Sequence, residues 1–105
     1  MTIQVNTDNN IKGSENMESY VTEKMQNGLK HFADKITRVE VHMSDQNADK
    51  GGAKDIQCRI EARLEGQQPI LVEIKADNHE KAISGAVDKM QAALRTKIGK
   101  MQNHR

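Results

Sequence analysis

The 105-residue chain contains no tryptophan, one tyrosine, one phenylalanine, one proline and one cysteine. With only Tyr20 and Phe32 for rings, it cannot build the exposed aromatic platform on which single-stranded nucleic acid stacks. The lone Cys58 has no internal disulfide partner. No apolar run approaches the ~20 residues that cross a bilayer. Residues Met1 to Asn6 lack the basic start and apolar centre of a signal peptide, so the expected compartment is the cytoplasm. The four histidines, His31, His42, His79 and His104, are scattered, and no Cys/His pair has zinc-ligand spacing. Glycine loops of the Walker or dinucleotide type are absent, as are the nucleophile motifs of hydrolases. The sequence therefore predicts no enzyme, no metal, no cofactor, no small-molecule substrate and no membrane partner. A net charge of +1 also rules out a polycation or an acidic disordered tail. Any attraction for a polyanion must come from how the charges are distributed.

What the chain does contain is periodicity. Ile3 and Val5 alternate with polar neighbours as in a short strand. Ser14 is placed to cap a helix, with Glu15 and Glu18 in its first turn, where acidic charge suits the positive helix end. Met17, Val21, Met25 and Leu29 then recur every four residues, which predicts a helix from about Glu15 to His31. Gly28, unfavourable there by roughly 1 kcal/mol relative to alanine, is expected to mark a close contact with the sheet. Val39, Val41 and Met43 alternate with Arg38, Glu40 and His42 in a second strand. A polar, glycine-bearing loop follows at about 44–55. The third strand has the longest alternation: Ile56, Cys58, Ile60, Ala62 and Leu64 face inward. A Gly66-Gln67-Gln68-Pro69 turn leads to the fourth strand, with Ile70, Val72, Ile74 and Ala76 inward. Asp77 or Asn78 caps a last helix, about 78–102, whose apolar stripe is Ile83, Val87, Met90, Leu94, Ile98 and Met101.

The order β-α-β-β-β-α, with strands polar on one face only, predicts an α+β fold in which two helices pack on one face of a four-stranded mixed sheet. The first strand pair should be parallel through a right-handed crossover, and the later pairs antiparallel. At 35% apolar content the chain supports one core, and residues 1–105 are read as a single domain.

The charge pattern is most informative at the end. All 15 carboxylate side chains lie at or before Asp88, and five basic ones follow: Lys89, Arg95, Lys97, Lys100 and Arg105. A last helix of ~24 residues would be ~36 Å long against ~23 Å for a seven-residue strand, so its final turns should overhang the sheet. Lys97 lies near the apolar stripe, where its stem can pack while its ammonium reaches solvent. Two readings of this run stand side by side. Cations at a helix C-terminus meet the negative dipole end, worth ~0.3–1 kcal/mol each. Alternatively they form a phosphate-binding patch, which needs further lysines on the adjoining flank of the first helix, so that the cations of both helices converge on one contiguous positive surface; Lys24 and Lys30 are candidates, diluted by Glu15, Glu18 and Glu23. Cys58 reads as a buried, inert thiol, and His42 as a surface histidine near Arg59 or Arg63. The outer sheet face alternates in sign and reads as a solvated, ion-paired surface.

The element order, together with the segments NNIKGSENMESYVTEKM and AISGAVDKMQAALRTKIGKM, resembles the bacterial family of ribosome hibernation-promoting factor and ribosome-associated inhibitor A. The same family is known as sigma-factor modulation proteins or ribosomal subunit interface proteins. The resemblance covers about Thr2 to Met101 and fits the short form. It implies a fold like that of a double-stranded-RNA-binding domain and a role in stress, as a translation inhibitor in the small-subunit channel used by messenger and transfer RNA. The implied partners are small-subunit rRNA and ribosomal proteins. Lys24 falls on a lysine of the family's first helix, Asp88-Lys89-Met90 on its Asp-Lys-Leu run, and Lys100 on a basic position near the end. Ala92 departs from an arginine, Asn27 from a lysine and Lys81 from a tyrosine; Arg95 and Lys97 keep positive charge nearby at shifted helical angles. The expected nucleic-acid-binding residues are thus Lys24, Lys30, Lys89, Arg95, Lys97 and Lys100, in a protein monomeric when free. The competing expectation, prompted by the near-neutral charge, is a protein-interaction module on the same scaffold that binds no nucleic acid.

Overall fold

The structure, a computed structural model, describes residues 1–8, 14–45 and 55–103. Four strands are present: β1 (Thr2–Thr7), β2 (Ile36–Asp45), β3 (Ile56–Leu64) and β4 (Ile70–Ala76). Helix α1 (Ser14–Leu29) follows β1, and helix α2 (His79–Asn103) follows β4. The strands lie in the order β1-β2-β3-β4. The β1/β2 pair is parallel and the other two are antiparallel, as the element order and its single crossover helix predict. Of the loop expected at 44–55, Ser44 and Asp45 belong to β2; residues 46–54 lie outside the described residues.

Each strand's inward register fills one core. Val39, Val41 and Met43 of β2 and Ile56, Cys58, Ile60, Ala62 and Leu64 of β3 are buried. Val21, Met25 and Leu29 of α1 pack over them beside Ile83, Met90 and Leu94 of α2. Phe32 and Met17 are partly buried at its margin.

Two local features differ from the expectations. The α-helical hydrogen bonding of α1 stops at Leu29, and Lys30–Phe32 forms a 3-10 turn. The apolar pattern does not distinguish the two, because Phe32 lies three residues after Leu29, a spacing that suits both helix types. Gly28, moreover, abuts the other helix and not the sheet. A Cβ at position 28 would lie 2.5 Å from Val87 Cγ1. Gln91 Nε2 donates to the Gly28 carbonyl oxygen at 2.7 Å, so the missing side chain lets the two helices touch.

Local chemistry sets the remaining boundaries. Asn78 Oδ1 accepts the Lys81 backbone N–H at 2.8 Å and caps α2. Asp77 instead pairs with Lys81 Nζ at 3.5 Å. Gly66, at φ +73°, supplies the left-handed residue of the β3–β4 turn. On the outer sheet face Arg38 pairs with Glu40 at 3.5 Å and Arg63 with Glu61 at 2.9 Å, both along a strand. Arg38 also donates to the Gln4 side chain.

Candidate nucleic-acid interface

Twenty-five residues make α2 about 37 Å long, whereas the seven of β4 span about 23 Å. The longest dimension of the molecule is 54 Å against 22 and 19 Å for the others. Leu94 is fully buried, but Ile98 and Met101 are only partly so, consistent with final turns that outrun the sheet.

At 100° per residue, Lys89, Lys97 and Lys100 fall within about 80° of one another around α2. Their neighbours show which flank this is. Lys89 Nζ donates to the backbone carbonyl oxygen of Glu73 in β4 at 3.4 Å. Lys97 and Lys100 line a cavity with Ile70, the first residue of β4. They also line a second cavity with Gln67 of the β3–β4 turn. Lys97 is partly buried, as its place beside the apolar stripe suggests, while Lys89 and Lys100 are exposed. The structure thus gathers three of the six expected residues along the β4 side of α2.

Lys24 belongs to the opposite flank. Its ammonium lies 5.4 Å from the centre of the Tyr20 ring, a distance at which a cation is attracted to the ring face. Lys24 lines the groove between the helices with Asn27, Ser84 and Asp88. Arg95 is exposed and points about 120° around α2 from Lys89. Lys30 is exposed in the 3-10 turn after α1. The expected convergence of both helices' cations on one contiguous surface is therefore not met: Lys89, Lys97 and Lys100 form a row beside β4, and Lys24 lies across α2 on a groove that the Asp88 carboxylate also lines.

None of the six is neutralised by an ion pair among the described residues, where the pairs are Arg38–Glu40, Arg63–Glu61 and Lys81–Asp77. Sequence reasoning missed the contribution of the β3–β4 turn and the capping of a β4 carbonyl by Lys89. The first had a signal, since an overhanging helix must pass one end of the sheet, and Gly66 to Pro69 form the turn there.

Elsewhere, His42 stands directly opposite Arg59 across β2 and β3, in a polar cleft of about 350 Å³ that Asp8 and Gln57 also line. Cys58 is fully buried, and desolvation raises its thiol from an ordinary 9.0 to about 12. Among the described residues no group of His, Cys, Asp or Glu is placed to hold a metal. Among them, too, no helix is long and apolar enough to cross a membrane.

A four-stranded mixed sheet covered on one face by two helices, one of them long and free of carboxylates after Asp88, defines an α+β fold. The chain matches the family described as sigma 54 modulation protein / S30EA ribosomal protein over residues 3–102, and it belongs to that family. The family is non-enzymatic and ribosome-associated. The fold is similar to that of a ribosomal subunit interface protein from Coxiella burnetii, with a TM-score of 0.73 and 14% sequence identity. The match covers 95% of this chain and 100% of that one. A comparison with curated proteins finds no match.

Proposed function

We propose that residues 1–105 form a single ribosome-associated domain that inhibits translation in the manner of a hibernation factor, under stress, in the cytoplasm. In this reading the protein acts as a monomer on the small ribosomal subunit, against rRNA and ribosomal proteins, and needs no cofactor. Lys24, Lys30, Lys89, Arg95, Lys97 and Lys100 contact rRNA phosphates. Such contacts fix position and orientation without reading base sequence, so the shape of the rRNA decides where the protein settles.

One observation carries this reading within a ribosome-associated family. From Lys89 to Asn103, α2 bears four cations and no carboxylate, and none of the four is ion-paired among the described residues. The dipole explanation accounts for Lys100, in the last turn, but not for Lys89 or Arg95, since the effect fades beyond one turn.

Sucrose-gradient sedimentation with ribosomes tests the proposal. The parent protein should co-sediment, and its association should fall steeply with salt because each neutralised phosphate releases counterions. A Lys89→Glu/Arg95→Glu/Lys100→Glu variant should stay at the top of the gradient. Equal association of variant and parent overturns the mechanism.

A further inference from the structure

The cavity beside β4 measures about 450 Å³ and is lined by Ile70, Ala92, Ala93 and Thr96 with Lys97 and Lys100. The cavity at the turn measures about 480 Å³ and is walled by the same two lysines with Gln67 and Met101. Sharing both lysines, they form one trough with a cationic rim and a floor that is aliphatic apart from Thr96, whose hydroxyl donates to the Ala92 carbonyl oxygen. No carboxylate among the described residues lines either part. The short side chains at positions 92 and 93 are what leave the floor hollow.

A phosphate needs only the rim. In a duplex the bases are stacked inside and the outer surface presents phosphates and sugars, so the apolar floor would go unused. It is used by a ligand that carries a flat apolar face next to its anionic group. We infer that the trough takes one unstacked nucleotide of single-stranded RNA, with its base on Ile70, Ala92 and Ala93 and its phosphate between Lys97 and Lys100. This rests on the reading of the protein as RNA-binding and specifies the form of RNA at one end of that surface. Apart from Thr96 the floor is aliphatic, so the base is held by apolar burial and not by ring stacking.

An acidic peptide satisfies the same charges, but its usual mode beside a free sheet edge is to add a strand. Lys89 already occupies the Glu73 carbonyl on that edge, and an added strand would have to displace it. This favours RNA as the occupant.

Fluorescence anisotropy with a labelled single-stranded oligouridylate and an RNA duplex of equal length tests the inference. The single strand should bind more tightly. Ala92→Leu, at an exposed helical position, fills the floor without altering charge. It should weaken single-strand binding about fourfold or more, the equivalent of one methylene group kept from burial, and leave the salt slope unchanged. Lys97→Gln/Lys100→Gln should instead flatten the slope by about 0.7 for each phosphate that is no longer neutralised. Equal binding of duplex and single strand, with Ala92→Leu silent, overturns the inference. Binding of a labelled Glu/Leu peptide that Ala92→Leu abolishes, with no binding of the oligouridylate, also overturns it, in favour of a protein ligand. If ribosomes still co-sediment in a cation-dependent way while the oligouridylate results fail, the inference falls and the proposed function stands. If ribosomes are not bound at all, both fall.

Discussion

Replacing Gly28 by alanine sets two effects of known size against each other. Alanine is a better helix former than glycine by about 1 kcal/mol, and on an open helix surface the change would stabilise the protein by roughly that amount. At position 28 the new Cβ meets Val87 Cγ1 at 2.5 Å, where real Cβ atoms are not found, and Val87 is itself buried at 8% exposure. Relieving the overlap requires a new Val87 rotamer or a shift of α1 from α2. The shift stretches the 2.7 Å bond from Gln91 to the Gly28 carbonyl. Overpacking of this kind costs typically 1–3 kcal/mol, so Gly28→Ala should be destabilising by up to about 2 kcal/mol net. Val87→Ala removes the obstructing methyl groups at a cost of its own. In that background Gly28→Ala should stabilise by up to about 1 kcal/mol, the helix preference alone. Urea denaturation of the four proteins, followed by far-UV circular dichroism, gives the coupling energy of the cycle. A coupling of at least about 1 kcal/mol is expected. Should Gly28→Ala stabilise equally in both backgrounds, the helices do not touch there and the packing described for them is wrong.

Further predictions concern the cap and the thiol. Asn78→Ala removes the acceptor of the Lys81 N–H and should lower stability by about 1 kcal/mol, seen as a drop of several degrees in Tm; Asn78→Asp should restore it, and an unchanged Tm in the alanine variant would contradict the cap. Cys58 should resist a thiol reagent such as dithionitrobenzoate until the protein unfolds, because burial raises its pKa from 9.0 to about 12. Its effect on stability has a definite sign. The unfolded thiol ionises first, so the contribution is whole below about pH 9 and is lost as pH climbs towards 12. Urea melts across that range should show a steeper alkaline loss for the parent than for Cys58→Ala, and parallel curves would contradict the assignment.

Much of the architecture was legible in the amino-acid order because burial leaves a periodic mark. Ile56, Cys58, Ile60, Ala62 and Leu64 alternate without a break, and all five are buried. The parallel start followed from a single crossover helix between two strands. What periodicity cannot carry is the identity of the facing surface. A glycine in a helical stripe signals close approach, yet says nothing of what approaches; Gly28 faces Val87, a residue 59 positions later. The cations illustrate the same limit. A helical wheel groups Lys89 with Lys97 and Lys100, but only the tertiary structure shows that this group lies against β4 while Lys24 lies across α2. The Lys89 bond to a backbone carbonyl involves no side-chain partner that a sequence could advertise.

The outer face of the sheet has a consequence for strand alignment. Glu40 stands opposite Glu61, and Arg38 opposite Arg63, so like charges confront each other between β2 and β3. A slip of two residues in either direction keeps every side chain on its own face and would set Glu40 against Arg63 or Arg59. Cross-strand attraction, at roughly 0.2–1 kcal/mol per pair, therefore pulls away from the native alignment. On the buried face that alignment matches bulk with slightness: Met43 beside Cys58, Val39 beside Ala62. Slipped one way, Met43 would meet Ile60 and Val39 would meet Leu64. Steric fit in the interior thus overrules the ionic preference of the exterior.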